Sequence, residues 1–433
     1  MSQAFVRTEM TPPKAPPLTE RGAVKWLREN LFAGPFNTLL TVAAFYVVYL
    51  FLRSLVPWLA NGVWNANSLQ ECRDIVTASA GEGATGACWA VIRERWNQFI
   101  FGLYPQDLYL RPTLAFALLL AAIAPVLFSK VPRQLFWVTM LYPAIAFFLL
   151  WGGSIWTPVV AMLGFGVMML TYRLLVRLTG VSVAAILGVF AAILWWMFLD
   201  ALVVEQLSTA LPVGLRSVGS DEFGGFLLAL VIGVTAIAFS LPLGILLALG
   251  RQSDLPVIKM ICVGFIEFIR GVPLITLLFT ASLLLGYFLP SGTNFDIVLR
   301  VIILVTFFAA AYLAEVIRGG LAALPRGQYE AADALGLDYW RAQRLIILPQ
   351  ALKISIPAIV STFIGLFKDT TLVSFVALLD PLRGVTSVVR ADLNWKGIYW
   401  EPYIFVGAIF FIICFGMSRY SMYLEQKLKT DHR

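Results

Sequence analysis

The chain has 433 residues, of which 60% are hydrophobic and 13% charged, with a mean hydropathy of +0.83 and a formal net charge of +7. A soluble domain carries about 25% charge, so this composition excludes a water-soluble globular protein and makes a bilayer the expected solvent. The single histidine, His432, stands beside the chain end, which removes histidine bases and metal ligands from consideration, and no Gly-x-x-x-x-Gly-Lys-Ser/Thr run offers a nucleotide site.

Residues 1–36 carry Arg7, Lys14, Arg21, Lys25 and Arg28 among several prolines, too long and polar a start for a cleaved signal peptide. They read as a cytoplasmic tail leading into a retained first span. Apolar runs of about 18 or more residues then recur, continuous rather than alternating, which predicts membrane helices and not a barrel. Ten spans are expected, roughly at 37–59, 112–129, 134–152, 157–174, 182–207, 224–249, 259–289, 297–317, 355–377 and 403–421. An even number places both termini on one side. Basic residues at Lys130 and Arg133, Arg173 and Arg177, Arg251 and Lys259, from Arg318 to Lys353, and from Arg419 onward favour the cytoplasm for that side.

The long loop near 60–111 holds Cys72 and Cys88, which in an oxidising compartment can close a loop worth about 3 kcal/mol, or else remain two thiols. Gly152-Gly153-Ser154-Ile155-Trp156 is so short a connection that the third and fourth spans could be one kinked helix. The 259–289 run exceeds one bilayer crossing, so its first third is expected at the interface. It contains Glu267 and Arg270 in an i,i+3 relation, followed by the helix interrupters Gly271 and Pro273.

The stretch from Glu315 to Asp369 is too polar to span, yet lies between two spans. Gln328 to Leu335 favours helix, Gly336 can take the left-handed conformation that ends it, and Asp338 can cap the next. The second helix is expected from Tyr339 to Leu348, stopping before Pro349, with Arg341 and Arg344 on one face and Leu345 and Leu348 on another. Such a hairpin suits docking into a partner's groove, although a solvated hairpin that binds nothing has the same pattern.

Glu330-Ala331-Ala332, then Gly336, then Ile347-Leu348-Pro349 resembles the EAA loop of ABC importer permeases, whose coupling helices sit on the ATPase subunits. Phe265-Ile266-Glu267-Phe268-Ile269-Arg270-Gly271-Val272-Pro273-Leu274 is similar to the second core span of the polar amino-acid permeases, and Phe367-Lys368-Asp369-Thr370-Thr371-Leu372 to the span after the coupling loop. Thr371 stands where many relatives are expected to carry Ser. The long N-terminal extension and the ending Cys414-Phe415-Gly416-Met417-Ser418-Arg419-Tyr420 are similar to the general L-amino-acid permeases of the Aap and Bzt type.

The resemblance, over about 220–425, implies an all-α integral membrane protein, a polytopic helical bundle with a type I ABC importer permease core and additional N-terminal transmembrane helices. Its expected organisation is a cytoplasmic N-terminal tail at 1–36 and an extension of about five helices at 37–215, with a periplasmic loop near 60–111. A core of five helices at 216–423 follows, with the EAA loop near 318–352, and then a cytoplasmic tail at 424–433. Coupling falls to Glu330, Ala331, Ala332, Gly336, Arg341, Arg344 and Pro349. The implied partners are a second homologous permease in a heterodimer, two ATPase subunits that hold ATP and Mg, and a periplasmic amino-acid-binding protein. The chain itself, in the inner membrane, is expected to bind no cofactor, metal or nucleic acid and to catalyse no covalent step.

Charges inside spans are costly and usually face a cavity or a partner. Lys368 and Asp369, with Thr370 and Thr371 as hydroxyl donors, suit the ammonium and carboxylate of an amino-acid substrate, broad or polar and acidic in range, or alternatively fix helix packing between permeases. Glu267 and Arg270 are further candidates, with a structural or gating role as the alternative. An ion-coupled secondary transporter would need coupling carboxylates in several spans and repeat symmetry, neither of which the sequence displays. A membrane-embedded enzyme is the third reading, and the sequence shows neither the internal histidine nor the metal-ligand cluster that it would use.

Overall fold

The computed structural model describes residues 22–128, 130–284, 287 and 296–428. The expected tail through residue 21, the outside loop at 290–295 and His432 lie outside the described residues. The chain divides into two compact units, one up to Arg93 and one from Glu94.

In the first unit α1 (Gly22–Asn30) leads to α2 (Pro35–Ala60), an apolar helix whose Thr41 hydroxyl donates to the Leu31 carbonyl at 2.7 Å. The part of the loop that follows is folded. Ser68 caps α3 (Leu69–Ala80) by accepting from the Glu71 amide at 3.1 Å, and the Glu71 carboxylate accepts from the Asn67 amide at 2.7 Å. Cys72 on α3 is joined by a disulfide to Cys88, with Cα atoms 5.8 Å apart, and Trp89 stacks on Trp64 with ring centres 5.7 Å apart. Helix α4 (Ala90–Phe101) continues across the boundary between the units.

In the second unit, α5 (Leu110–Leu127) and α6 (Phe136–Trp151) form a hairpin tied by Tyr142, whose hydroxyl donates to the Ala115 carbonyl at 3.2 Å. The short connection after α6 separates two helices. Gly152 and Gly153 both take positive φ, +69° and +79°, a sequence of conformations that other residues resist, and so reverse the chain into α7 (Trp156–Thr179). There β1 (Gly153–Ser154) pairs antiparallel with β2 (Gly214–Leu215). Helices α8 (Val181–Leu194) and α9 (Asp200–Ala210) join through a wide turn at Trp195–Leu199, whose two indoles donate to the Val160 and Ala161 carbonyls of α7 at 3.1 and 2.9 Å.

The remaining spans build the most buried part of the bundle. Helix α10 (Gly225–Arg251) packs along its length on α13 (Ile297–Ala322), and at Gly244 a Cβ would lie 2.8 Å from Leu313 Cβ. Small residues let membrane helices approach closely where no water drives them together. In the chain between these two helices come α11 (Pro256–Gly271) and α12 (Leu274–Phe279), bent by 101° at Val272–Pro273. The expected seventh span is thus two helices meeting at a sharp bend and not one straight helix. Pro273 offers no amide to continue the ladder, so the helix is interrupted there.

Among the described residues nine helices are long and apolar enough to cross a membrane, or ten when the bent pair counts as one span. Their positions follow the ten expected runs. The boundary expected near 215/216 falls inside the second unit, where Phe223 stacks on Trp151 at 4.5 Å and meets Tyr104 edge-on at 5.6 Å.

Candidate functional site

After α13 the polar stretch folds as a capped hairpin. Helix α14 (Arg326–Ala334) carries Glu330, Ala331 and Ala332, and ends at Leu335. The Gly336 amide donates to the Asp333 carbonyl at 2.9 Å and the Leu337 amide to the Ala332 carbonyl at 3.2 Å, with Gly336 at φ +67°. This pair of bonds is the Schellman closure, which needs a left-handed residue where Gly336 stands. Asp338 then caps α15 (Tyr339–Ala342), accepting from the Arg341 amide at 3.0 Å.

The second helix does not stop before Pro349. It widens through Gln343–Ile347 and runs on as α16 (Leu348–Asp369). A proline cannot donate to the preceding turn and crowds its carbonyls, and a widened turn relieves both at once. The added residue also rotates the faces: Ile347 is buried, Leu348 half-buried, and Leu345 is 64% exposed.

Ala332, Ala342, Gln343 and Ile347 face inward, and Gln350 Nε2 donates to Gln328 Oε1 at 2.9 Å, holding the hairpin to the base of α16. The outward face presents Glu330, Ala331, Arg341, Arg344 and Pro349 together with Leu335, Tyr339, Trp340 and Leu345. This mixture of exposed apolar side chains and charges is what a docking surface requires. Leu335, Tyr339 and Trp340 were not singled out by sequence pattern, because exposure of an apolar side chain is settled only once its neighbours are placed.

A second cluster ties together the adjoining ends of α10, α11 and α13. Arg251 Nη1 lies 2.8 Å from both Glu267 Oε1 and Glu315 Oε1, and Glu315 Oε2 lies 3.0 Å from Arg318 Nε and 3.7 Å from Arg270 Nη1. The Arg270 guanidinium also sits over the Tyr312 ring at 5.5 Å. Glu267 and Arg270, neighbours along one helix, therefore each pair with another helix. Glu315 is the hub, and the sequence pattern gave it no such role because Arg251 and Arg270, two of its three partners, come from other helices.

Lys368 and Asp369 close α16, with Lys368 exposed and Asp369 half-buried. Thr370 is buried and donates to the Phe367 carbonyl at 2.7 Å, while Thr371 donates to the Lys368 carbonyl at 2.9 Å. Both hydroxyls are thus engaged by the backbone of their own turn, but each oxygen keeps acceptor capacity. Among the described residues no group of three or more His, Cys, Asp or Glu side chains is placed to hold a metal.

A bundle of apolar spans with one sharply bent helix pair, interrupted by a capped polar hairpin, is the architecture of a multi-pass membrane protein. Residues 240–430 match the family described as the binding-protein-dependent transport system inner membrane component. The chain is 65% identical over 99% of its length and 99% of the relative's to a glutamate/glutamine/aspartate/asparagine transport system permease of Rhodobacter capsulatus. It is 36% identical to an inner membrane amino-acid ABC transporter permease of Escherichia coli, covering 97% of this chain and 96% of that one. A crystal structure of an amino acid ABC transporter with histidines shares 31% identity with a TM-score of 0.41, over 46% of this chain and 90% of that one. The chain belongs to the family of binding-protein-dependent amino-acid ABC transporter permeases.

Proposed function

We propose that this chain is the permease subunit of an ATP-driven importer that carries polar L-amino acids, acidic ones and their amides among them, across the inner membrane. The observation that carries this reading is the capped hairpin between α13 and α16, which exposes Leu335, Tyr339, Trp340 and Leu345 around Glu330, Arg341 and Arg344. The name of the Rhodobacter relative supports the substrate range.

In this reading the subunit pairs with a second, homologous permease, two ATPase subunits hold ATP and Mg, and a periplasmic binding protein delivers the amino acid. The chain performs no covalent chemistry. Both termini lie in the cytoplasm, the Cys72–Cys88 module lies in the periplasm, and the core from about residue 216 is the transport unit. Closure of the ATPases on ATP moves the hairpin. The hairpin in turn moves α13 and α16, which tilt the permease between inward and outward states, each ligand shifting that balance by its differential affinity for the two.

The ion-pair hub at Glu315 stiffens the end of α13 that feeds the hairpin, so Glu267 and Arg270 act there in transmission. Lys368, Asp369, Thr370 and Thr371 are assigned to substrate contact at the far end of α16. The test is uptake of labelled L-glutamate and L-glutamine by vesicles containing the whole complex. Uptake that follows internal ATP and persists when proton and sodium gradients are collapsed is expected, and uptake that follows a gradient and ignores ATP would make the chain an ion-coupled transporter.

A further inference from the structure

Among the described residues, two buried side-chain atoms without a hydrogen-bond partner, Ser282 Oγ and Arg300 Nε, belong to residues in direct contact. Arg300 lies in the first turn of α13, and its Nη1 donates to the Ser282 carbonyl at 2.9 Å and reaches the Ala281 carbonyl at 3.5 Å. Ser282 belongs to the wide turn Thr280–Leu284 that continues α12 beyond the bend. The same α12 packs on the Thr370–Val376 turn that follows Lys368 and Asp369.

An arginine stays charged at every accessible pH, and a partly buried charge in a membrane protein is normally paired. Two carbonyl dipoles serve one edge of this guanidinium, and no Asp or Glu among the described residues pairs with it. Because Nη1 is the nitrogen engaged, the edge left over is the one formed by Nε and Nη2, which point the same way. That edge is the fork on which a carboxylate binds side-on through two parallel bonds. The Ser282 hydroxyl, also without a partner, belongs to the residue whose carbonyl Nη1 engages, and supplies a further donor on the segment that Arg300 touches.

We propose that Arg300 and Ser282 form a carboxylate-binding subsite for the amino acid that the transporter carries. This rests on the importer reading given above and names where the substrate's anionic end is held. The carboxylate docks on the Nε–Nη2 edge and accepts from Ser282 Oγ, so the bent helix pair and the start of α13 are joined through the substrate.

The complex purified with its partner subunits, without the binding protein, is examined by the rise in melting temperature that added L-glutamate, L-glutamine or L-isoglutamine produces. All three stabilise the wild-type complex if they bind. Arg300→Gln is expected to weaken binding about 10- to 100-fold, the loss of a charge-assisted bond, while Arg300→Lys keeps part of it and Ser282→Ala loses a few-fold. Loss of the glutamate and glutamine response with the isoglutamine response intact identifies the α-carboxylate as the ligand. Loss of the glutamate and isoglutamine response with glutamine intact identifies the side-chain carboxylate. An Arg300→Gln complex that melts lower without ligand but keeps its full ligand-induced rise shows that Arg300 only caps the α12 segment, and overturns the proposal. ATP-driven uptake by the wild type, measured in parallel, reports on the importer reading independently of this response.

Discussion

Replacing Gly336 by Val should uncouple ATP hydrolysis from transport without preventing insertion. Gly336 takes φ +67° to close the Schellman turn after α14, and a Cβ built there meets nothing within 4 Å. The penalty is therefore entirely that of the backbone conformation, not of a clash with neighbours. A side chain in the left-handed region costs about 1–2 kcal/mol, and a β-branched one falls at or above the top of that range. Helix α14 has 9 residues, too few for independent stability, so it depends on its closure and on the buried side of Ala332. A loss of about 2 kcal/mol lowers the closed-to-open ratio of the turn about 30-fold. The helix carrying Glu330 then leaves its docking angle, while the apolar spans are untouched. Expression level, substrate-stimulated ATPase activity and uptake are measured in reconstituted complexes. Asn, which tolerates left-handed φ, should restore coupling better than Val. Normal coupled uptake by Gly336→Val would refute the assignment of this turn as the element that aims the coupling helix.

Cys72 and Cys88 should appear as one linked peptide pair when the unreduced complex is digested and weighed. With a sequence separation of 16 the link contributes about 3 kcal/mol, so Cys88→Ser should lower the melting temperature, and two free thiols in the wild type would exclude the bond. Photo-crosslinkers placed at Trp340 or Leu345, both exposed, should capture an ATPase subunit, whereas probes at Arg133 or Arg177 should not; the reverse pattern would move the docking surface to the N-terminal spans. Asp380 lies fully buried outside the spans, and although it accepts from the Leu382 and Arg383 amides at 3.0 Å each, burial pushes its carboxyl up to about 6. The folded state then holds the proton more tightly than the unfolded one, so stability from this group is full below about pH 4 and is lost as pH rises through about 6, a change of roughly 3 kcal/mol. Melting of the wild-type complex should rise on acidification from pH 7 to 5 by more than that of Asp380→Asn, and parallel curves would show that Asp380 does not titrate in this window.

The sequence by itself determined the membrane class, the run of spans and the chemistry of the hairpin, because each is written in neighbouring residues. Apolar length decides a span, and Gly336 and Asp338 act on backbone groups two to four positions away, so their roles as closure and cap were legible from the order of residue types. Pro349 was misleading for the same reason. Read locally it ends a helix, but the widened turn at Gln343–Ile347 carries the helix past it and turns Leu345 outward. Glu267 and Arg270 likewise look like each other's partners by spacing, yet the packing of α10 and α13 beside α11 brings Arg251 and Glu315 within reach of them. The hub at Glu315 and the unpartnered donors of Ser282 and Arg300 depend on residues far apart in the chain. Only the tertiary structure decided them, since whether a charge is paired or left wanting is a property of everything packed around it and not of its own helix.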